Sequence, residues 1–123
     1  MLRGRILVVE DDPAIAMVVE ETLSEDSYDV VPTGAADALR LARELRPDVI
    51  LTDYAMPDMD GAEISRRLRA DQATAGIPII LMSAHPPAAR PHMPVDAELC
   101  KPFDLEAMAA AVARWTDATS PPD

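Results

Sequence analysis

One cysteine, Cys100, is all the 123-residue chain carries, so no internal disulfide can form and a reducing compartment is the expected setting. Basic charge is also scarce: 11 Lys and Arg face 22 Asp and Glu, for a formal charge of −11. Direct nucleic-acid binding is therefore not expected, because it leaves a basic patch as its footprint. No apolar run approaches membrane-spanning length, and no membrane association is expected. The run Ile6–Val9 is too short for the core of a leader peptide and breaks at once into Glu10-Asp11-Asp12. Internal repeats are missing, as is any linker long enough to divide the chain. These absences point to one acidic, soluble domain in the cytoplasm.

What is present alternates. Hydrophobic residues make up 49% of the chain, enough for a core in a domain that buries about two thirds of its unfolded surface. Apolar runs at Ile6–Val9, Val49–Leu51 and Ile79–Met82 read as strands, Tyr28–Val31 and Glu98–Cys100 as two more, and segments of helical period separate them. The nearly continuous apolar strands predict a parallel sheet covered by helices on both faces. Asp12-Pro13 is a helix start, with Asp12 as N-cap and Pro13 in the first turn. Ile15, Val18, Val19 and Leu23 share a face of that helix. Asp60 has capping-box spacing to Glu63, and Asp104 caps a last helix whose inner stripe is Leu105, Met108, Val112 and Trp115. Between Ser83 and Glu98, Pro86, Pro87, Pro91 and Pro94 predict a short or irregular fourth helix, since an interior proline costs about 3 kcal/mol.

The strands end in chemistry. Glu10 and Asp11 follow the first, Asp53 closes the third, Ser83 the fourth, and Lys101 follows the fifth. Ligands of open α/β sheets bind at the carboxyl ends of the strands. Two carboxylates about 4 Å apart repel by about 4 kcal/mol at an effective dielectric near 20, so Glu10, Asp11 and Asp53 together call for a cation. All the donors are oxygens, which selects Mg²⁺ over zinc. Asp53 is then a nucleophile forming an acyl phosphate, with Lys101 and Ser83 as donors to phosphoryl oxygens. An isolated strand-end Asp is more often a cap or turn former, and that plainer reading suits Asp12 and Asp60. Cys100 reads as a small core residue.

At these residues the chain resembles the receiver domain of two-component response regulators. The resemblance rests on Ile6-Leu7-Val8-Val9-Glu10-Asp11-Asp12-Pro13, on Asp53 with Met56-Pro57-Asp58-Met59-Asp60-Gly61, on Met82-Ser83-Ala84 and on Lys101-Pro102-Phe103. It implies a flavodoxin-like (βα)5 three-layer sandwich with strand order 2-1-3-4-5, spanning residues 3–118 with a tail at 119–123. It implies phosphorylation on Asp53 by a histidine kinase or phosphotransfer protein. Mg²⁺ would be held by Glu10, Asp11, Asp53 and the backbone carbonyl of Ala55, and Ser83 and Lys101 would bind the phosphoryl group. A donor would dock over Ala14, Ile15 and Pro102, output would pass to another protein, and no enzymatic turnover is expected. The chain departs from the family in two places. Glu98 stands where a receiver has its switch aromatic, and the Ser83–Lys101 interval is about one helical turn short.

Two alternatives share parts of this pattern. An unphosphorylated receiver-like interaction module would not need Asp53, Ser83 and Lys101 together. A haloacid-dehalogenase-type hydrolase would need a second acid two residues beyond its nucleophile, where this chain has Ala55.

Overall fold

The computed structural model describes residues 2–57, 59–84, 94–101 and 104–119. Five strands, β1 (Gly4–Val9), β2 (Tyr28–Thr33), β3 (Val49–Asp53), β4 (Ile79–Ser83) and β5 (Ala97–Cys100), form one parallel sheet in the order β2-β1-β3-β4-β5. Among the described residues the helices are α1 (Pro13–Glu25), α2 (Ala35–Leu45), α3 (Gly61–Ala70) and α4 (Leu105–Thr119). The fold is the flavodoxin-like three-layer sandwich expected from the sequence. The irregular fourth helix was expected over residues 85–93, which lie outside the described residues.

The alternating side chains of the sheet build two cores. Ile6, Val8, Val49, Leu51, Ile80 and Met82 meet Val19 and Leu23 of α1 and Met108 and Val112 of α4. Leu7, Val9, Ile50 and Ile79 meet Ala35, Ala38 and Ala42 of α2 and Ile64 and Leu68 of α3. A strand sandwiched this way must be apolar on both faces, and every residue of β3 and β4 is buried. The edge strands β2 and β5 are only partly covered, which leaves Cys100 exposed rather than in the core.

The helix stripes are narrower than their periodicity suggests. In α1 the buried residues are Ala16, Val19 and Leu23, while Ile15 and Val18 are exposed; Leu105 of α4 is exposed as well. The caps form as expected. Asp12 accepts the Ala14 N–H at 2.9 Å, Asp60 the Glu63 N–H at 2.9 Å, and Asp104 the Ala107 N–H at 2.6 Å. The capping box is not reciprocal, because the Glu63 carboxylate pairs with Arg66 and Arg67 instead.

Gly61 pins α3 to the sheet. Its N–H donates to the Tyr54 carbonyl at 2.8 Å, and an added Cβ would lie 2.6 Å from the Asp53 carbonyl oxygen and 2.9 Å from Leu81 Cδ1. Backbone cannot yield as a flexible side chain does, so Gly61→Ala should destabilise the domain by about 1–3 kcal/mol, read from the midpoint of urea unfolding. An unchanged midpoint would mean that α3 can lift from β3 without loss.

The loop after α3 is tied down by Arg69. Its guanidinium donates to the carbonyls of Ala75 and Ile77 at 2.8 Å and of Pro94 at 3.0 Å, and pairs with Asp96. Asp96 in turn accepts the Ile79 N–H at 2.8 Å. This network joins the starts of β4 and β5, and nothing in the local sequence around Arg69 announces it.

Candidate phosphoacceptor site

Four strand ends meet at one edge of the sheet. Asp53 is buried at the end of β3, and its Oδ1 accepts from the Tyr54 N–H at 3.0 Å and from Lys101 Nζ at 2.8 Å. Lys101 arrives from 48 residues away, its backbone N–H bonded to the Ser83 carbonyl at 2.7 Å, so that β5 continues alongside β4 past Cys100. Register sets Asp53 opposite Met82, next to the buried Ser83 that ends β4. Lys101 is the sole lysine of the chain.

The acids lie on the β1 side. Glu10 is buried; its Oε1 accepts the Asp12 N–H at 3.1 Å, and its Oε2 has no partner. Burial raises the Glu10 carboxyl above its ordinary range; the Asp12 N–H works against this, and the Asp53 charge adds to the rise. Asp11 Oδ1 accepts the Ala35 N–H at 3.0 Å, and its Oδ2 is buried without a partner. Among the described residues no three His, Cys, Asp or Glu side chains converge at metal-ligating spacing. Asp11 is drawn to α2 and Asp53 to Lys101.

Two buried carboxylate oxygens without donors are costly in an apolar surround, and a hard divalent cation satisfies such an all-oxygen set. The residues therefore fit Mg²⁺. Of the other expected site residues, Ala55 lies in the loop between β3 and α3, and Glu98 is on the exposed side of β5, opposite Leu81 in register. A carboxylate there stays in solvent and escapes the burial cost that the aromatic position would impose. Ala14 and Ile15 lie on α1 beside Val18, Val19 and Leu105, around an apolar cavity of about 300 Å³. Pro102 lies outside the described residues. Sequence reasoning missed the engagement of Asp11 with α2; the signal was Gly34, a helix-capping position with no side chain to cap.

A 2-1-3-4-5 parallel sheet carrying acids, a hydroxyl and a lysine at its strand ends defines a signalling domain of the receiver class. The chain belongs to the response regulator receiver domain family, whose model matches residues 6–113. Among its relatives is the DNA-binding dual master transcriptional regulator RpaA of Synechocystis sp., 38% identical over 115 residues, covering 88% of this chain and 47% of that protein. Another is the DNA-binding response regulator MtrA of Mycolicibacterium smegmatis, 42% identical over 84 residues, covering 68% of this chain and 36% of that protein. The receiver domain of sensor histidine kinase PA1611 from Pseudomonas aeruginosa superposes with a TM-score of 0.85 at 29% identity, covering 93% of this chain and 98% of that one. Its structure has a magnesium ion coordinated in the active site cleft.

The relatives correct one expectation. The absence of a nucleic-acid partner was read from the net charge, yet RpaA and MtrA are DNA-binding regulators. The chain spans less than half the length of either, and charge summed over one segment reports the surface of that segment alone. Among the described residues no helix is long and apolar enough to cross a membrane.

Proposed function

We propose that Asp53 is the phosphoacceptor of this receiver domain, and that a phosphohistidine of a kinase or phosphotransfer protein is the donor. The observation that carries this reading is the 2.8 Å contact between Lys101 Nζ and Asp53 Oδ1. Lys101 and the Tyr54 N–H both hold Oδ1, which leaves Oδ2 to attack phosphorus. The new P–O bond forms as the donor's P–N bond breaks, and the departing imidazole keeps the electron pair and takes up a proton. Lys101 and the Ser83 hydroxyl then donate to phosphoryl oxygens. Glu10, Asp11, Asp53 and the Ala55 carbonyl would hold Mg²⁺, which neutralises the charge that gathers as the phosphoryl group enters. The domain accepts and holds a phosphoryl group as a signal rather than turning over a substrate. Its unit is residues 3–118, and its compartment is the cytoplasm.

The test is incubation with acetyl phosphate or phosphoramidate and Mg²⁺, followed by intact mass. One phosphoryl group per chain is expected. No uptake would leave the unphosphorylated interaction module as the better reading.

The donor protein should dock over the apolar cavity lined by Ala14, Ile15, Val18, Val19 and Leu105, where Ile15, Val18 and Leu105 are exposed without being core. Burying such side chains against a partner yields about 25 cal/mol per Å² of apolar surface. Ile15→Asp should slow phosphotransfer from the cognate protein roughly tenfold or more, since a buried charge at an interface costs over 1.4 kcal/mol, while small-molecule labelling continues. Equal loss in both assays would mean that the substitution harmed the fold instead.

A further inference from the structure

Helix α2 begins without a cap of its own. Its N-cap residue, Gly34, has no hydroxyl or carboxylate to offer the first-turn amides. Nor does the backbone demand glycine there: φ −84° and ψ 176° are extended values open to any residue. What glycine leaves there is room for the Asp11 carboxylate, which would have to shift for a larger residue. A Cβ on Gly34 would lie 2.8 Å from Asp11 Oδ1. That same oxygen accepts the Ala35 N–H at 3.0 Å and so caps α2 from 24 residues away. The other oxygen of Asp11 is buried and without a partner.

We infer that Gly34 is a positioning residue for metal binding: by lacking a side chain it lets the first turn of α2 grip Asp11 Oδ1, which leaves Oδ2 for the cation. The inference rests on the Mg²⁺ reading of Glu10, Asp11 and Asp53. It makes α2 part of the metal site, although no residue of α2 is a ligand. Groups that orient a metal ligand are typically worth 10- to 100-fold in affinity, and Gly34 acts by the same route.

Serine at position 34 separates this role from a merely structural one. A serine N-cap can bond its own helix, so local capping alone predicts equal or greater stability for Gly34→Ser and an unchanged response to Mg²⁺. Positioning predicts that the added Cβ displaces Asp11, and that Mg²⁺ affinity falls about tenfold or more even where metal-free stability holds.

The experiment titrates Mg²⁺ into the full chain and follows both melting temperature and the Ala35 amide resonance. It compares the unaltered chain with Gly34→Ser, Gly34→Ala, Asp11→Asn and the Gly34→Ser/Asp11→Asn double variant. The expected result is weakened Mg²⁺ binding in both Gly34 variants, and a double variant no worse than Asp11→Asn alone, because Gly34 acts only through Asp11. Wild-type Mg²⁺ affinity in Gly34→Ser and Gly34→Ala would overturn the inference while leaving the metal site standing. A Mg²⁺ response missing from the unaltered chain, or surviving in Asp11→Asn, would overturn the metal reading and this inference with it. Should neither Gly34 variant fold, the Ala35 resonance of the unaltered chain decides: it must move with the same midpoint as the melting temperature, and a stationary resonance overturns the inference.

Discussion

Exposed to acetyl phosphate and Mg²⁺, Asp53→Ala should take up no phosphoryl group at all, while the unaltered chain takes up one. The loss is complete rather than partial because the substitution removes the attacking atom itself. The variant should remain folded. The Tyr54 N–H also donates to the Met82 carbonyl at 2.9 Å, so it keeps a partner when Asp53 Oδ1 is gone. Lys101 loses its ion pair, but its side chain is 27% exposed and can turn toward water, and Glu10 loses a like-charged neighbour. Asp60 serves as the N-cap of α3, its Oδ1 accepting the Glu63 N–H. Intact mass on the folded variant checks the result. Labelling that persists would move the acceptor to Asp58, outside the described residues, or to Asp60.

Mg²⁺ at a hundredfold excess over its Kd should stabilise the folded chain by about 2.7 kcal/mol, a rise of roughly 10 °C in melting temperature, and Asp11→Asn should abolish most of it. The asparagine keeps the shape of the side chain and its acceptor for the Ala35 N–H, but places a neutral amide at the position of the unpartnered oxygen. Acidity gives a second handle. Glu10 titrates higher in the folded chain than in the unfolded one, so between the two values the folded state binds more protons. Metal-free stability then falls as pH rises through that interval. Mg²⁺ needs the ionised carboxylate and offsets the penalty, so the gap between loaded and metal-free melting temperatures should widen over the same interval and shrink below it. An undiminished gap in Asp11→Asn would place the ion elsewhere.

Much of this site was legible because central strands of a parallel sheet must be apolar on both faces. A run such as Val49–Leu51 or Ile79–Met82 announces where a strand lies, and the polar residues within two positions of its end reach the carboxyl edge. Asp53, Glu10, Asp11, Ser83 and Lys101 could therefore be assigned to one edge without any knowledge of side-chain contacts. Caps were legible for a similar reason, since Asp12, Asp60 and Asp104 each act on amides two or three residues away.

Side-chain partners far apart in sequence were not. Helical period gave α1 a face of Ile15, Val18, Val19 and Leu23, but the sheet and α4 cover only part of it, and Ile15 and Val18 are left exposed. Cys100 read as core from its residue type, yet strand order puts β5 at an edge. Arg69 could have been any helix arginine until the chain returned Ile77, Pro94 and Asp96 to it.

By itself the sequence determined the alternation of strands and helices, the two-sided burial of the central strands, and the set of acids, hydroxyl and lysine at their ends. Those follow from short-range rules of burial, period and capping. Tertiary structure alone decided that Lys101 reaches Asp53 Oδ1 and that Asp11 gives one oxygen to the first turn of α2. Each depends on a distance of about 3 Å between groups 24 to 48 residues apart in the chain, and only the closed sheet sets such a distance.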